Sequence, residues 1–366
     1  MRKVLVLLTD RANYGRLKPV MRAVDDHPDL TLMVCCTGTM LIDRFKLPIQ
    51  QVRDDGFTVD AQFACDLEGS TQYTQAKSAG QAAVGFADVL ERLQPDCVVI
   101  IGDRYQAGGC AMAAHQANVP ICHLQGGEVS GTRDDGARNA ITQLATWHVP
   151  ATQQAKDLIE EMRPYMRGGC LGDSWLVGCP SSDIAATIAL NPQDFVLACY
   201  HPNTDHPQTS LDEAREFIKA IREISKTHQV KLLWPNIDAG SNEIADCLRH
   251  IRHEDNIRVY QNFPTEEFMQ HLDDAACAVG NSSSFCRDSS FFGTPVVLVG
   301  DRQRGRERAE NVIEVLCDDR NIVTAFHAQV GVRFEKSTLF GDGNVSQRIA
   351  DGLAKVLHAN REECAA

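Results

Sequence analysis

No Walker A motif, no GxGxxG, no HExxH and no CxxC occurs in this chain. The first absence disfavours a P-loop nucleotide and the second a nicotinamide cofactor, although strand-like and helix-like patterns alternate throughout. Without HExxH, CxxC or a zinc-type Cys/His spacing, a metal centre has little sequence support. His201, Asp205 and His206 in HPNTDH are ligand-type residues, but no third, distant cluster joins them. Positive charge is the scarcer sign: 36 Lys and Arg against 49 Asp and Glu leave a net charge of −13. That balance argues against nucleic acid or an anionic membrane as a partner, but not against a small anionic ligand in an arginine-lined cleft. No apolar run approaches the ~18 residues of a membrane span. The opening run MRKVLVLLTDR is cut off by Asp10 and Arg11 and reads as a first strand rather than a signal segment.

Cysteine is plentiful, at 14 residues, and most of it lies in apolar strand-like runs such as LTLMVCCTG, DCVVI and FVLACYH. Free cysteine behaves there as a small hydrophobe, which fits reduced core thiols in a cytoplasmic protein. A length of 366 residues suits two domains with cores of their own. Continuous apolar runs at Val4–Leu8, Leu30–Cys36, Cys97–Ile101, Val119–Leu124 and His148–Pro150 predict a parallel sheet covered on both faces. The pattern restarts after Gly168-Gly169 and Pro180, with strands expected at Phe195–Tyr200, Lys231–Trp234, Ile257–Tyr260, Cys277–Val279 and Pro295–Val299. Helices are expected at Leu17–Asp26 and Thr74–Leu93, and then at Leu211–Ser225, Asn242–Arg252 and Glu266–Asp274. The fold class is therefore α/β: two doubly wound, Rossmann-like domains, 1–175 and 176–344, with a hinge near Gly172–Pro180. A final helix over 345–366 is placed to cross back onto the first domain.

Polar clusters mark the strand exits. In TDRANYGRLKP, Arg11 follows the first strand, Gly15 eases the turn into a helix, and an arginine at a helix start suits a phosphate. GDRYQAGG carries Asp103 and Arg104 at a strand's carboxyl end. HLQGGEVSGTRDDGAR, residues 123–138, is the densest stretch. Gly126-Gly127 permits close backbone approach to a ligand, Glu128 follows, and Asp134 and Arg138 share a helix face at i,i+4. Its alternative reading is a capped helix start with a surface ion pair. FVLACYHPNTD puts His201 just past a strand. In the last cluster Asn281 and Ser282-Ser283-Ser284 precede a helix, a small-hydroxyl cradle for an anion, with Asp288 inside that helix placed to accept from ribose hydroxyls. Asp288 reads equally as an ordinary first-turn helix acid. Arg302, Arg304, Arg306 and Arg308 follow, read either as a solvated charged loop or as a pyrophosphate site beside the serines.

Together the segments TDRANYGRLKP, AKSAGQAAVGFADVLERLQPDCVVIIGDRYQA, ICHLQGGEVSGTRDDGARNAIT, the His201-Pro202 pair and GNSSS…FGTPVVLVGDRQRGRERAENV resemble, in order and over nearly the whole chain, the hydrolysing UDP-N-acetylglucosamine 2-epimerases of sialic and related nonulosonic acid pathways. The resemblance implies a glycosyltransferase-B-like architecture with a UDP-sugar in the cleft, no cofactor, no metal, and a homodimer. Carried over by position, it implies that Asp103, Glu128, Asp134 and Arg138 form the catalytic cluster of the first domain and that the second contributes His201. Arg11 is implied as a ligand-binding arginine, Ser282, Ser283 and Ser284 as the nucleotide cradle, and Asp288 as its ribose carboxylate; Asn281, Arg302 and Arg306 join the expected UDP site by their place beside the serines. Three departures stand out: Asn13 where relatives usually have Glu, Met40 where a family histidine is missing, and Phe285-Cys286-Arg287 then Asp288-Ser289-Ser290 where relatives have Gly and two aliphatics, then Glu-Ala-Pro.

The implied chemistry is anti elimination of UDP across C1–C2 to a 2-acetamidoglucal, followed by addition of water. It needs a fixed carboxylate base near C2, a carboxylate near the cationic C1, and positive potential at the leaving diphosphate. Asp103 and Glu128 are the expected acid/base pair, with Asp134 assisting, Arg138 orienting Asp134 and His201 holding the phosphate. Acids sharing a cleft are expected to separate in proton affinity. Three rivals share the grip on the nucleotide: a non-hydrolysing epimerase, a glycosyltransferase that needs an acceptor, and a nucleotide-sugar binder with a decayed site.

Overall fold

The computed structural model describes residues 1–42, 48–67, 71–166 and 174–365. Six strands form the first sheet: β1 Arg2–Leu8, β2 Leu30–Cys36, β3 Ala61–Gln62, β4 Cys97–Ile101, β5 Ile121–Leu124 and β6 Trp147–Val149. Six more form the second: β7 Phe195–Cys199, β8 Gln229–Leu233, β9 Ile257–Tyr260, β10 Cys277–Gly280, β11 Val296–Val299 and β12 Val312–Val315. All pairings are parallel. The orders are β3-β2-β1-β4-β5-β6 and β12-β11-β10-β7-β8-β9. Counted from its own first strand, each sheet thus runs 3-2-1-4-5-6, the doubly wound order of a Rossmann-like domain. The expected fold class, two such domains in a glycosyltransferase-B-like pair, is the one observed.

Successive strand residues feed opposite faces. Val4, Val6 and Leu8 pack in one buried cluster, and Leu5 and Leu7 in another on the far side of the sheet. The second sheet is covered likewise, with Val196 and Ala198 on one face and Phe195 and Leu197 on the other. This two-sided cover is why the strands are continuous apolar runs. Two short edge strands escaped that reading. β3 has only two residues, and β12 has two exposed positions in four.

The first helix spans Arg11–Asp25 rather than beginning at Leu17, because Asp10 caps it by accepting from the Asn13 amide at 2.8 Å. Gly15 is therefore inside the helix and not in a turn. A Cβ there would meet the Thr265 hydroxyl at 2.7 Å, so glycine lets the helix approach the second domain. Gly168-Gly169, and Gly172 of the expected hinge, lie outside the described residues. The last helix, Val345–Ala365, packs Val345, Ile349, Leu353 and Leu357 into the same cluster as Val4 and Val6 of the first sheet.

Candidate active site

In a doubly wound sheet the strand order reverses between its first and fourth strands, and a crevice opens beyond their carboxyl ends. Here the two reversal points face each other. β1 ends at Asp10 and Arg11 and β4 at Gly102 to Arg104, while across the gap β7 leads to His201 and β10 to Asn281 through Ser284. All of these but Asn281 line one cavity of about 360 Å³ between the domains. Asp134, Asp288, Arg302 and Arg306 line it as well.

Two acids of the first domain face the cavity with opposite proton affinities. Burial disfavours the charged form of Asp103, but Arg138, Arg306 and Arg287 outweigh it and hold the carboxyl well below its ordinary range. Arg138 is the direct ion-pair partner of Asp103. Asp134 has no ion-pair partner among the described residues. Burial and then the charges of Asp103 and Asp238 push it up to about 6. A buried carboxylate and a second acid near neutrality, side by side, form the arrangement that acid/base chemistry uses.

Three expectations change. Arg138 does not pair with Asp134 at i,i+4. It bonds Asp135 at 2.5 Å and the Glu128 carbonyl at 2.6 Å, because the Asp135 carboxylate is anchored over the preceding loop by the Ser130 and Gly131 amides, both at 2.7 Å. Glu128, expected as an acid/base group at the sugar, lies outside the cavity lining. Its Oε2 is ion-paired with both Arg287 and Arg306, and these arginines override burial and hold its carboxyl down at about 2. Gly126 and Gly127 do not line the cavity either. Gly127 has φ +76°, and a Cβ there would sit 2.1 Å from the Ala155 carbonyl, so the close approach is to the neighbouring helix rather than to a ligand.

The second domain supplies donors. His201 is partly buried and neutral, pushed down to about 3 by desolvation and then by Arg302. Its Nδ1 accepts from the Asn236 amide at 3.2 Å, which leaves the proton on Nε2. Asn281 is a brace: its Oδ1 accepts from the His201 amide at 2.7 Å and its Nδ2 donates to the His201 carbonyl at 2.8 Å, tying two strand exits together. Ser282 caps the helix Ser283–Phe292. Arg16 from the first domain reaches the Ser283 hydroxyl at 3.2 Å. Arg302 donates to the carbonyls of Pro202 and Asn281, both at 3.2 Å, and Asp288 accepts from the Ser181 hydroxyl at 2.6 Å. Arg11 is partly buried, and desolvation lowers its proton affinity.

The loop after β8 supplies cavity residues that were not singled out in the sequence, and they meet Arg104. Arg104 bonds Asp238 across the domain boundary at 2.7 Å and lies 3.3 Å from Asp10. Asp238 and Asn236 come from WPNID, which follows β8. Its position at a strand's carboxyl end, the signal that marked the other clusters, was there to be used. Arg287 stood out only as a departure from relatives. The ligand-type residues His201, Asp205 and His206 form no metal-sized cluster. Among the described residues the one such group is Glu216, Asp318 and Asp319. No helix among the described residues is long and apolar enough to cross a membrane.

Two Rossmann-like domains thus face each other, with acids on one wall of the cleft and hydrogen-bond donors on the other. The chain belongs to the UDP-N-acetylglucosamine 2-epimerase family, whose profile matches residues 22–354. It is 28% identical over 361 residues to the hydrolysing UDP-N,N'-diacetylbacillosamine 2-epimerase of Legionella pneumophila, covering 95% of this chain and 94% of that protein. It is 26% identical over 358 residues to a UDP-N-acetylglucosamine 2-epimerase of Neisseria meningitidis serogroup B, covering 94% and 92%. In fold it is similar to the UDP-GlcNAc 2-epimerase of Methanocaldococcus jannaschii crystallised with UDP-GlcNAc and UDP, with a TM-score of 0.78, 15% identity, and 96% and 99% of the two chains covered.

Proposed function

We propose that this protein is a hydrolysing epimerase that converts a UDP-2-acetamido sugar into UDP and the free 2-epimer. The observation that carries the reading is the Asp103–Asp134 pair, two acids of unequal proton affinity facing a helix start and arginines across one cleft. The similarity to the hydrolysing Legionella enzyme supports the choice of reaction.

The cleft's chemistry divides as follows. Asp134, whose proton affinity lies close to neutrality, takes the C2 proton. A base of that strength removes a weakly acidic hydrogen better than a strongly acidic carboxyl does. The C2–H electron pair forms the C1=C2 double bond as the C1–O pair departs with the diphosphate. Asp103, held ionised by Arg138, stabilises the positive charge that develops at C1. Arg11, Arg16 and the Ser282–Ser284 helix start receive the leaving phosphate, and the Nε2–H of His201, which rests on the Cys199 sulfur at 3.3 Å, turns to it. Water then adds hydroxyl at C1 and hydrogen at C2 from the opposite face, which inverts C2 and frees the sugar. Asp288 holds the ribose, and Arg302 keeps the cradle's backbone in place. Glu128 acts at one remove, as the counter-ion that fixes Arg287 and Arg306.

The test is incubation with UDP-N-acetylglucosamine and its 2,4-diacetamido counterpart in deuterated water, read by NMR. UDP plus a free 2-epimer carrying deuterium at C2 is the expected result. A 2-epimerised UDP-sugar, or no turnover until an acceptor is added, overturns the reading.

A further inference from the structure

Arg287 stands in the helix Ser283–Phe292. Its side chain is 4% exposed, yet it lines the cavity. One nitrogen, Nη2, pairs with Glu128 of the first domain. Its Nε and Nη1 find no hydrogen-bond partner among the described residues. A buried guanidinium with unsatisfied N–H groups is costly, and such cost is borne where a ligand completes the bonding. Arg306 shares the same carboxylate oxygen. Arg287 therefore does not have the Glu128 carboxylate to itself. Arg287 also lies one helical turn beyond Ser283 and Ser284, about 5.4 Å along the axis, on the side of the serine cradle that leads toward Glu128.

We propose that Arg287 is a specificity-determining residue that donates to an anionic oxygen of the bound nucleotide sugar. That oxygen belongs either to the diphosphate or to a carboxylate on the sugar ring. The inference rests on the UDP-sugar reading above. Glu128 holds the guanidinium from one side through Nη2, and the ligand takes up hydrogens that Glu128 leaves free. An aliphatic side chain at this position offers no such donor.

The test compares wild type with Arg287→Met for the affinity of uridine, UDP, UDP-N-acetylglucosamine and the corresponding UDP-2-acetamido uronic acid. Loss of charge-assisted hydrogen bonds predicts about 10- to 100-fold weaker binding of the ligand that carries the recognised oxygen. Weaker binding of all three diphosphates with uridine unchanged identifies the diphosphate. Weaker binding of the uronic acid alone identifies the sugar carboxylate. Unchanged affinities, or a loss shared equally by uridine, overturn the proposal. If Arg287→Met does not fold, Arg287→Lys keeps the charge but lacks the fork needed to serve Glu128 and a ligand together, and the same comparisons apply. These are binding measurements, so wild-type affinity without turnover would sink the hydrolysing reading and leave this one standing.

Discussion

At the ends of β1 and β4, and on the helix after β5, the first domain presents Asp10, Asp103 and Asp134. At the matching ends of β7 and β10 the second presents His201 and Ser282 to Ser284, with Arg287, Arg302 and Arg306 close by. Strand order and placement are the same in both halves, so the fold does not explain the contrast in chemistry. The loops do. The first domain's acids are pulled apart in proton affinity by their surroundings: Arg138 pairs directly with Asp103, whereas at Asp134 burial and the charges of Asp103 and Asp238 outweigh Arg302 and Arg104. The second domain's imidazole is instead kept neutral by burial, and its backbone is braced by Asn281 and Arg302. One wall is tuned to move protons and the other to hold charge, so neither half is expected to perform the reaction alone.

The contrast is broken most severely at Asp134. Asp134→Asn is expected to lower kcat by about 10²- to 10⁴-fold, the range for a lost general base. UDP affinity should stay within a few-fold of wild type, as checked by calorimetry. Equal loss of binding and turnover would place Asp134 on the holding wall instead. Next comes Glu128→Gln, which strands two buried arginines. Removing one partner of a buried pair costs about 3–5 kcal/mol, so denaturant unfolding should show a loss of that order. A variant as stable as wild type would mean that the arginines are neutralised elsewhere.

Smaller effects sharpen the same comparison. If Asp134 must be ionised to act, kcat/KM falls about tenfold per unit as pH drops below about 6, where Asp134 takes up its proton. A profile that falls as pH rises through that value would reverse its role to acid. The stability consequence has the opposite sign. The folded-state value lies above the ordinary carboxylate value of about 3.9, so the ionised group weakens the fold above pH 6, and this cost vanishes below about pH 4. Asp134→Asn should therefore be more stable than wild type by about 1–2 kcal/mol at pH 7.5, allowing for partial exposure, and no more stable at pH 4. Thermal melts at the two values decide it.

Much of the architecture was legible because burial on both faces forces continuous apolar runs, as in Val4–Leu8 and Cys97–Ile101. Edge strands lack that pressure, and so β12, with Ile313 and Glu314 exposed, left no trace. Strand exits mark most of the cavity wall, including the loop after β8, where Asp238 follows an apolar run without the glycines or paired charges that make the other exits conspicuous. Spacing along the chain placed Glu128 and Asp134 close together but could not say which way each side chain turns. That depends on arginines 150 or more positions away, Arg287 and Arg306, which claim Glu128. The i,i+4 rule likewise failed for Arg138 because a loop anchors Asp135 in a better position to receive it.

The final helix Val345–Ala365 leaves the second domain and completes the core of the first. The two halves are consequently joined by two covalent strands instead of one. A pair of tethers permits rocking about the line between them and resists both twisting and sliding. Trimming the tail would then do more than shorten the protein: it would strip apolar cover from the sheet that carries the acids and release the body that carries the donors to wander.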